Sequence, residues 1–175
     1  LTPPPIAGLG FYLGALVVLR LHELRVSARN ARLLRAEGAV ESGRDHYPLL
    51  LAVHVLYPIA LLVEVLALGA RPPAWWPALV AVLVMAQIVR VWSMRALGVH
   101  WTTRVLVVPG APRVRSGPYL FLSHPNYAAV VAELIAGPLI FGAWRTAIVI
   151  SALNAVALTI RIRSENRALA TAGSD

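Results

Sequence analysis

The chain has 175 residues, of which 58% are hydrophobic and only 14% charged, and its mean hydropathy is +0.69. Soluble domains have roughly 45–50% apolar and about 25% charged residues, so a disordered chain is excluded and an ordinary soluble globule disfavoured. The length suits a single domain over residues 1–175. All 16 basic residues are Arg, against 8 acidic ones, for a net charge of +8. The composition points to an integral membrane protein whose Arg collects in cytoplasmic loops, rather than to a nucleic-acid partner. Cysteine is absent, which excludes disulfides, a thiolate nucleophile and a Cys metal site.

Five apolar stretches read as membrane spans. The first, residues 6–21, has no basic segment before it and no small-residue cleavage site near its end, so it reads as a retained helix. An Arg-rich loop follows over 25–45. The second span, 47–68, covers about 33 Å at 1.5 Å per residue, enough for a hydrocarbon core. Arg71-Pro72-Pro73 turns the chain into the third, 75–96. A less apolar stretch, 97–123, separates it from a closing hairpin of two short spans, 127–141 and 146–160. The turns at 70–74 and 142–145 hold one Arg each, while 25–45, 97–123 and the tail hold many. The positive-inside rule therefore predicts an inner-membrane protein with its N-terminus outside and its C-terminus in the cytoplasm. The expected fold is an all-α bundle of about five transmembrane helices.

Polar and ionisable groups inside spans are costly, the ionisable ones by a few kcal/mol each, and face a cavity or a partner. His54, Glu64, Gln87, Arg90, Glu133 and Asn154 are such groups. Together they suggest a polar pocket near the cytoplasmic side, with interhelical bonding as the alternative. Glu64, near the outer end of its span, reads as structural. His22-Glu23 begins like a zinc-protease helix, but Val26 stands where the second His belongs. No Walker loop and no G-x-S-x-G occurs, and no metal site is expected.

The densest signal is LGVHWTTRVLVVPGAPRVRSGPYLFLSHPNY, residues 97–127. Val105–Val108 is a candidate strand, and Pro109-Gly110 and Ser116-Gly117-Pro118 are turn signals. Pro125 suits a first helical turn, with Ser123 as candidate cap. Farther on, Asn154 and Arg161 lie two turns apart on one helix face, and Arg161 and Glu165 are i, i+4 neighbours.

Gly117-Pro118-Tyr119, then His124-Pro125-Asn126-Tyr127, then Arg161 with Glu165 resemble the isoprenylcysteine carboxyl methyltransferase family of integral membrane enzymes. That family's motif reads roughly G-P-Y-x-x-x-R-H-P-x-Y, then a helical hairpin and R-x-x-x-E-E. Residues 22–54 are similar to a bacterial branch that includes proteins assigned to methylation of alkylpyrones or alkylresorcinols. Two positions depart from the motif: Ser123 stands where an Arg precedes the His, and Asn166 replaces the second Glu. Arg104, Arg113 and Arg115 are candidates to substitute for the missing Arg.

The resemblance implies S-adenosylmethionine as cofactor. The implied cofactor-binding segment is 97–127 plus 161–170, with Gly117, Pro118, Tyr119, His124, Pro125, Tyr127, Arg161 and Glu165 as cofactor-binding residues. Glu133, Asn154 and Arg161 are the candidate catalytic residues. The expected reaction is methyl transfer to an oxygen of a lipophilic acceptor, an alkylpyrone, an alkylresorcinol or a prenylated cysteine. The alternatives are methylation of a phospholipid amine and a non-catalytic transport or assembly role.

Overall fold

The computed structural model describes residues 6–112, 114–171 and 173. Five helices carry the architecture: α1 (Ile6–Ala36), α2 (Tyr47–Leu66), α3 (Trp76–Leu97), α4 (Pro125–Ile140) and α5 (Trp144–Thr171). Two three-residue strands, β1 (Val40–Ser42) and β2 (Val105–Val107), pair antiparallel with Val40 opposite Val107. Helices α1, α2, α3 and α5 are long and apolar enough to cross a membrane, whereas α4 has only 16 residues. The surface is correspondingly apolar: Phe11, Val18, Leu66 and Ile148 are all more than half exposed.

Helix α4 is the centre of the bundle, packed against α3 and α5. Apolar side chains gain little by leaving lipid for protein, so close packing must hold such helices together. Small residues allow it. Ala129, Ala136 and Gly137 are buried on α4. A Cβ on Gly137 would lie 2.2 Å from the Tyr12 hydroxyl and 2.3 Å from that of Tyr57, two groups hydrogen-bonded to each other. Val53, Leu61, Leu134 and Ile150 fill the core around them.

At one end of the bundle the two hairpin turns meet. Gly142 takes a left-handed φ of +74°, and a Cβ there would fall 1.9 Å from the Arg71 carbonyl oxygen. Beside it Glu64, buried on α2, accepts bonds from the backbone N–H of Arg145 (3.1 Å) and Thr146 (2.6 Å) and from the Thr146 hydroxyl (2.7 Å). A carboxylate here satisfies N–H groups left unpaired in the first turn of α5 and complements its dipole. Glu64 is structural, as its position implied.

Four expectations need correction. The first helix does not end at 21: nothing between His22 and Ala36 breaks a helix, and Ala, Leu and Arg favour one, so α1 continues for 31 residues. The Arg-rich stretch is therefore mostly helix. The loop after it contributes β1, which the sequence did not announce. The closing span of 146–160 is part of a longer element: α5 continues to Thr171 and carries Asn154, Arg161 and Glu165 on one helix, as their spacing implied. Finally, His124 rather than Ser123 occupies the N-cap of α4, and no side chain caps it.

Candidate functional site

The Arg-rich end of the bundle holds a cavity of about 710 Å³. Its walls come from Leu97 at the end of α3, the 98–112 stretch with β2, the 114–127 stretch and the far half of α5. Four of the sequence-selected residues meet as one unit. Arg161, buried on α5, donates from Nε to the Tyr127 hydroxyl at 2.7 Å and from Nη1 to the Thr103 carbonyl at 2.6 Å. The Tyr127 hydroxyl in turn donates to Glu165. The His124 ring stacks on Tyr127 with centroids 5.1 Å apart and planes 13° off parallel. Tyr119 lines the same cavity and lies against Ser93 of α3. Burial, with the negative charge of Glu165, pushes its phenol up to about 12, so it stays a neutral donor at physiological pH.

Gly117, Pro118 and Pro125 shape the wall rather than line it. Gly117 has a φ of +57°, and a Cβ on it would be 2.9 Å from both Trp92 Nε1 and Ala96 Cβ, so only glycine lets this turn lie on α3. Pro118 is buried in the 3-10 turn Gly117–Leu120, and Pro125 is buried as the first residue of α4. Ser123 and Asn166, the two departures from the motif, both line the cavity. So does Asn126, whose buried Oδ1 has no partner among the described residues. Of the Arg candidates, Arg104 is committed to Glu41 at 2.6 Å and stacks over Tyr47. Arg115 is exposed and lines the cavity. Arg113 lies outside the described residues.

The lower part of α1, taken for a loop from sequence, buttresses this site. Asn30 Nδ2 donates to the carbonyls of Gly98 (3.0 Å) and Trp101 (2.8 Å). Ser27 Oγ accepts from the Thr103 N–H at 2.9 Å and bonds its hydroxyl. Thr103 is the residue whose carbonyl holds Arg161. The signal was present: Glu23, Ser27, Asn30 and Leu34, all buried, recur at helical spacing between exposed Arg25, Arg29, Arg32 and Arg35.

Glu133 and Asn154 do not line the cavity. Glu133 belongs to a closed ring of four alternating charges between α1, α3 and α4. Arg20 bridges Glu23 and Glu133, each at 2.6 Å. Arg90 bridges the same two carboxylates, reaching Glu23 at 2.9 Å and Glu133 more tightly still. Gln87 adds a bond to Glu133 at 3.2 Å. Two positive and two negative groups leave the ring neutral, which is how charges survive at such a depth. Both oxygens of Glu133 are thus held by guanidinium groups. The expected polar pocket within the spans is therefore this ring. A second, apolar cavity of about 360 Å³ abuts Gln87 and Glu133 and shares no lining residue with the first. Asn154 is buried on α5 with its Oδ1 unpaired among the described residues.

The family model of isoprenylcysteine carboxyl methyltransferase matches residues 79–171, which span α3 to the end of α5 and carry most of the cavity wall. The chain belongs to the isoprenylcysteine carboxyl methyltransferase (ICMT) family. Membership makes it a membrane methyltransferase, and members of this family use S-adenosylmethionine and act on lipophilic substrates. The chain is 42% identical to "Uncharacterized protein YpbQ" of Bacillus subtilis (strain 168) over 154 residues, covering 88% of this chain and 92% of that one. It is 26% identical to an "Uncharacterized protein" of Haemophilus influenzae (strain ATCC 51907 / DSM 11121 / KW20 / Rd) over 155 residues, covering 88% and 90%. No solved structure matches.

Proposed function

We propose that the cavity at the Arg-rich end takes S-adenosylmethionine and that the chain methylates an oxygen of a lipophilic acceptor beside it. The carrying observation is that Tyr119, His124, Tyr127, Arg161 and Glu165, drawn from two distant stretches of sequence, line one cavity. Its volume falls within the roughly 300–1,000 Å³ of small-molecule sites. The donor set fits the cofactor. Glu165 and the Asn126 Oδ1, unpaired among the described residues, are acceptors for an amino group or ribose hydroxyls, and Arg115 is placed to meet a carboxylate. The aromatic faces of Tyr119 and Tyr127 favour a sulfonium.

Bound there, S-adenosylmethionine would supply a methyl group on positively charged sulfur, passed in line to oxygen as the carbon–sulfur bond breaks. The chain's part is to orient and to exclude water, and proximity alone can supply about 7–11 kcal/mol in the best cases. Among the described residues, three Arg side chains line the cavity against one Glu, and although Glu41 neutralises Arg104, Arg115 and Arg161 still exceed Glu165. That excess favours an anionic oxygen, a carboxylate or an acidic enol, and disfavours the cationic amine of a phospholipid. For a phenol, His124 is the candidate base. The similarity of residues 22–54 directs the choice of acceptor towards an alkylpyrone or alkylresorcinol rather than a prenylated cysteine. The positive-inside rule turns the cavity towards the cytoplasm, where the donor dissolves.

Two measurements test this reading. Calorimetric titration of the detergent-purified chain with S-adenosylmethionine should show saturable binding, weakened about 10- to 100-fold by Glu165→Ala if a hydrogen bond to charge is lost. Mass spectrometry of lipid extracts incubated with the chain and methyl-labelled cofactor should find a labelled, methylated, acidic long-chain product. A chain that neither binds the cofactor nor labels any lipid refutes the proposal.

A further inference from the structure

Helix α1 changes character along its length. Gly8 and Phe11 share the apolar cavity with Trp76 and Phe141, so α1 starts level with the hairpin turns. Counted from Ile6, Arg25, Arg29 and Arg32 then lie about 29, 35 and 39 Å along the helix. A hydrocarbon core is about 30 Å thick, and a bilayer with its headgroups about 40–45 Å. Arg25 thus stands at the edge of the lipid tails, Arg29 within the headgroup layer and Arg32 at its rim.

The three form one stripe, spaced i, i+4, i+7, and all are exposed. Ser27, Asn30 and Leu34 are buried on the other side of the same turns. Ser27 and Asn30 hold Gly98, Trp101 and Thr103, so the stripe looks away from the bundle, into the surrounding leaflet. It also lacks counter-charges. Arg20 and Arg35, the other arginines of α1, pair with Glu23, Glu133 and Glu41. Among the described residues Arg25, Arg29 and Arg32 enter no ion pair. Arg32 donates from Nε to the Ala28 carbonyl of its own helix at 3.4 Å. Like charges at i, i+4 and i, i+3 repel, so the bare stripe works against the last turns of α1. An anion lodged between the side chains removes that repulsion, and phosphate matches the guanidinium fork. A soluble acidic partner would have to enter the headgroup layer to reach Arg25 and Arg29. Lipid phosphates already lie at that depth.

We propose that Arg25, Arg29 and Arg32 bind the headgroups of anionic phospholipids in the leaflet on the Arg-rich side, and that the bound lipid braces the cavity. The brace runs through one helix. Neutralising the stripe keeps the end of α1 helical, which holds Ser27 and Asn30 in register. Ser27 fixes Thr103, and the Thr103 carbonyl holds Arg161 in the cavity wall. An effect of lipid on methyl-donor binding rests on the reading of the cavity as the donor site; the headgroup site does not.

The chain is reconstituted in phosphatidylcholine nanodiscs with and without phosphatidylglycerol. Spin-labelled phosphatidylglycerol should be immobilised several-fold more than spin-labelled phosphatidylcholine, and less so at high salt. The triple variant Arg25→Gln, Arg29→Gln, Arg32→Gln should lose this preference, and the corresponding Arg→Lys triple variant should keep most of it. Gln and Lys favour a helix about as well as Arg, so α1 itself persists in both. Equal immobilisation of the two lipids by the parent, or a preference that survives in the Gln variant, overturns the site. For the brace, backbone hydrogen exchange over 25–36 should slow in discs with phosphatidylglycerol, and S-adenosylmethionine should bind several-fold more tightly, in the parent and not in the Gln variant. The same gain on adding inorganic phosphate to phosphatidylcholine discs would overturn the lipid as its source. Cofactor binding indifferent to phosphatidylglycerol overturns the brace. No cofactor binding in any disc refutes the donor-site reading and the brace with it, while the spin-labelled lipids decide the headgroup site.

Discussion

Arg161 donates from Nε to the Tyr127 hydroxyl, and that hydroxyl passes its own proton on to Glu165, so α4 and α5 are joined by one directional chain of hydrogen bonds at the cavity wall. Tyr127→Phe removes the middle link and leaves a guanidinium N–H and a carboxylate oxygen without their partner. Bonds to charged groups are worth about 1.5–3 kcal/mol. The expected result is a cofactor affinity lowered by at least about tenfold, read by calorimetry, with helix content unchanged by circular dichroism. Arg161→Lys should do similar harm, because one ammonium cannot reproduce the forked reach to both Tyr127 and the Thr103 carbonyl.

The ring of Arg20, Glu23, Arg90 and Glu133 predicts a different kind of loss. Removing one member of a buried ion pair costs about 3–5 kcal/mol because its partner is left charged and alone. Glu133→Leu should therefore lower thermal stability in detergent strongly. Adding Arg90→Leu should cost less than the sum of the two single changes, the mark of a shared interaction. Methyl transfer by the chain that remains folded should persist in Glu133→Gln, since the carboxylate does not face the cavity. A Glu133→Gln variant as stable as the parent, binding the cofactor yet inert in transfer, would restore Glu133 to a catalytic role.

The contrast between these two clusters shows what the sequence made legible. Hydropathy located the apolar part of each helix, because lipid demands unbroken apolar runs, but not how far α1 and α5 continue beyond it. The motif residues of 117–127 and 161–165 were legible as a group, and the structure brings His124, Tyr127, Arg161 and Glu165 together. Polar residues within the spans were visible too, but not their pairing. Arg20 and Glu23 fell at the end of an expected span and Glu133 lies more than a hundred residues away, so only the packing of α1 against α3 and α4 closes the ring. The same cause hid the role of Ser27 and Asn30. A helix extending beyond the bilayer has no long apolar run, and its buried stripe is drowned by the Arg residues around it.

At the opposite end of the bundle, Glu64 and Gly142 pin the hairpin turns together. Glu64→Ala leaves the Arg145 and Thr146 N–H groups and the Thr146 hydroxyl without an acceptor, and loss of a capping carboxylate costs about 0.5–2 kcal/mol. Gly142→Ala should be worse, since it meets backbone at 1.9 Å and forces a side chain into a left-handed φ. Thermal unfolding in detergent should rank Gly142→Ala below Glu64→Ala, and both below the parent. Cofactor affinity at temperatures where the variants are folded should be unaffected, because this latch lies a bilayer's width from the cavity.

Glu41 on β1 gives the prediction in pH. Partial burial alone would raise its carboxyl, but hydrogen bonds from Arg104 and Arg35, reinforced by the charges of Arg104 and Arg44, hold it below its usual value. Arg35 lies at 2.9 Å and Arg104 at 2.6 Å, and β1 pairs with β2, a wall of the cavity. A carboxylate with a lowered folded-state pKa stabilises the fold fully above its unfolded pKa, and that contribution is lost as the pH falls through the folded value. The clamp should thus be intact at neutral pH and weaken only as the pH drops below the ordinary Glu range, about 4.5. Glu41→Gln should remove this acid-sensitive part of the stability, so that parent and variant differ by about 1 kcal/mol at pH 7 and converge in acid. Melting temperatures of the two chains across pH 3 to 7 measure it directly. A constant difference over that whole range would show that the Glu41 carboxylate does not hold the β1–β2 wall by its charge.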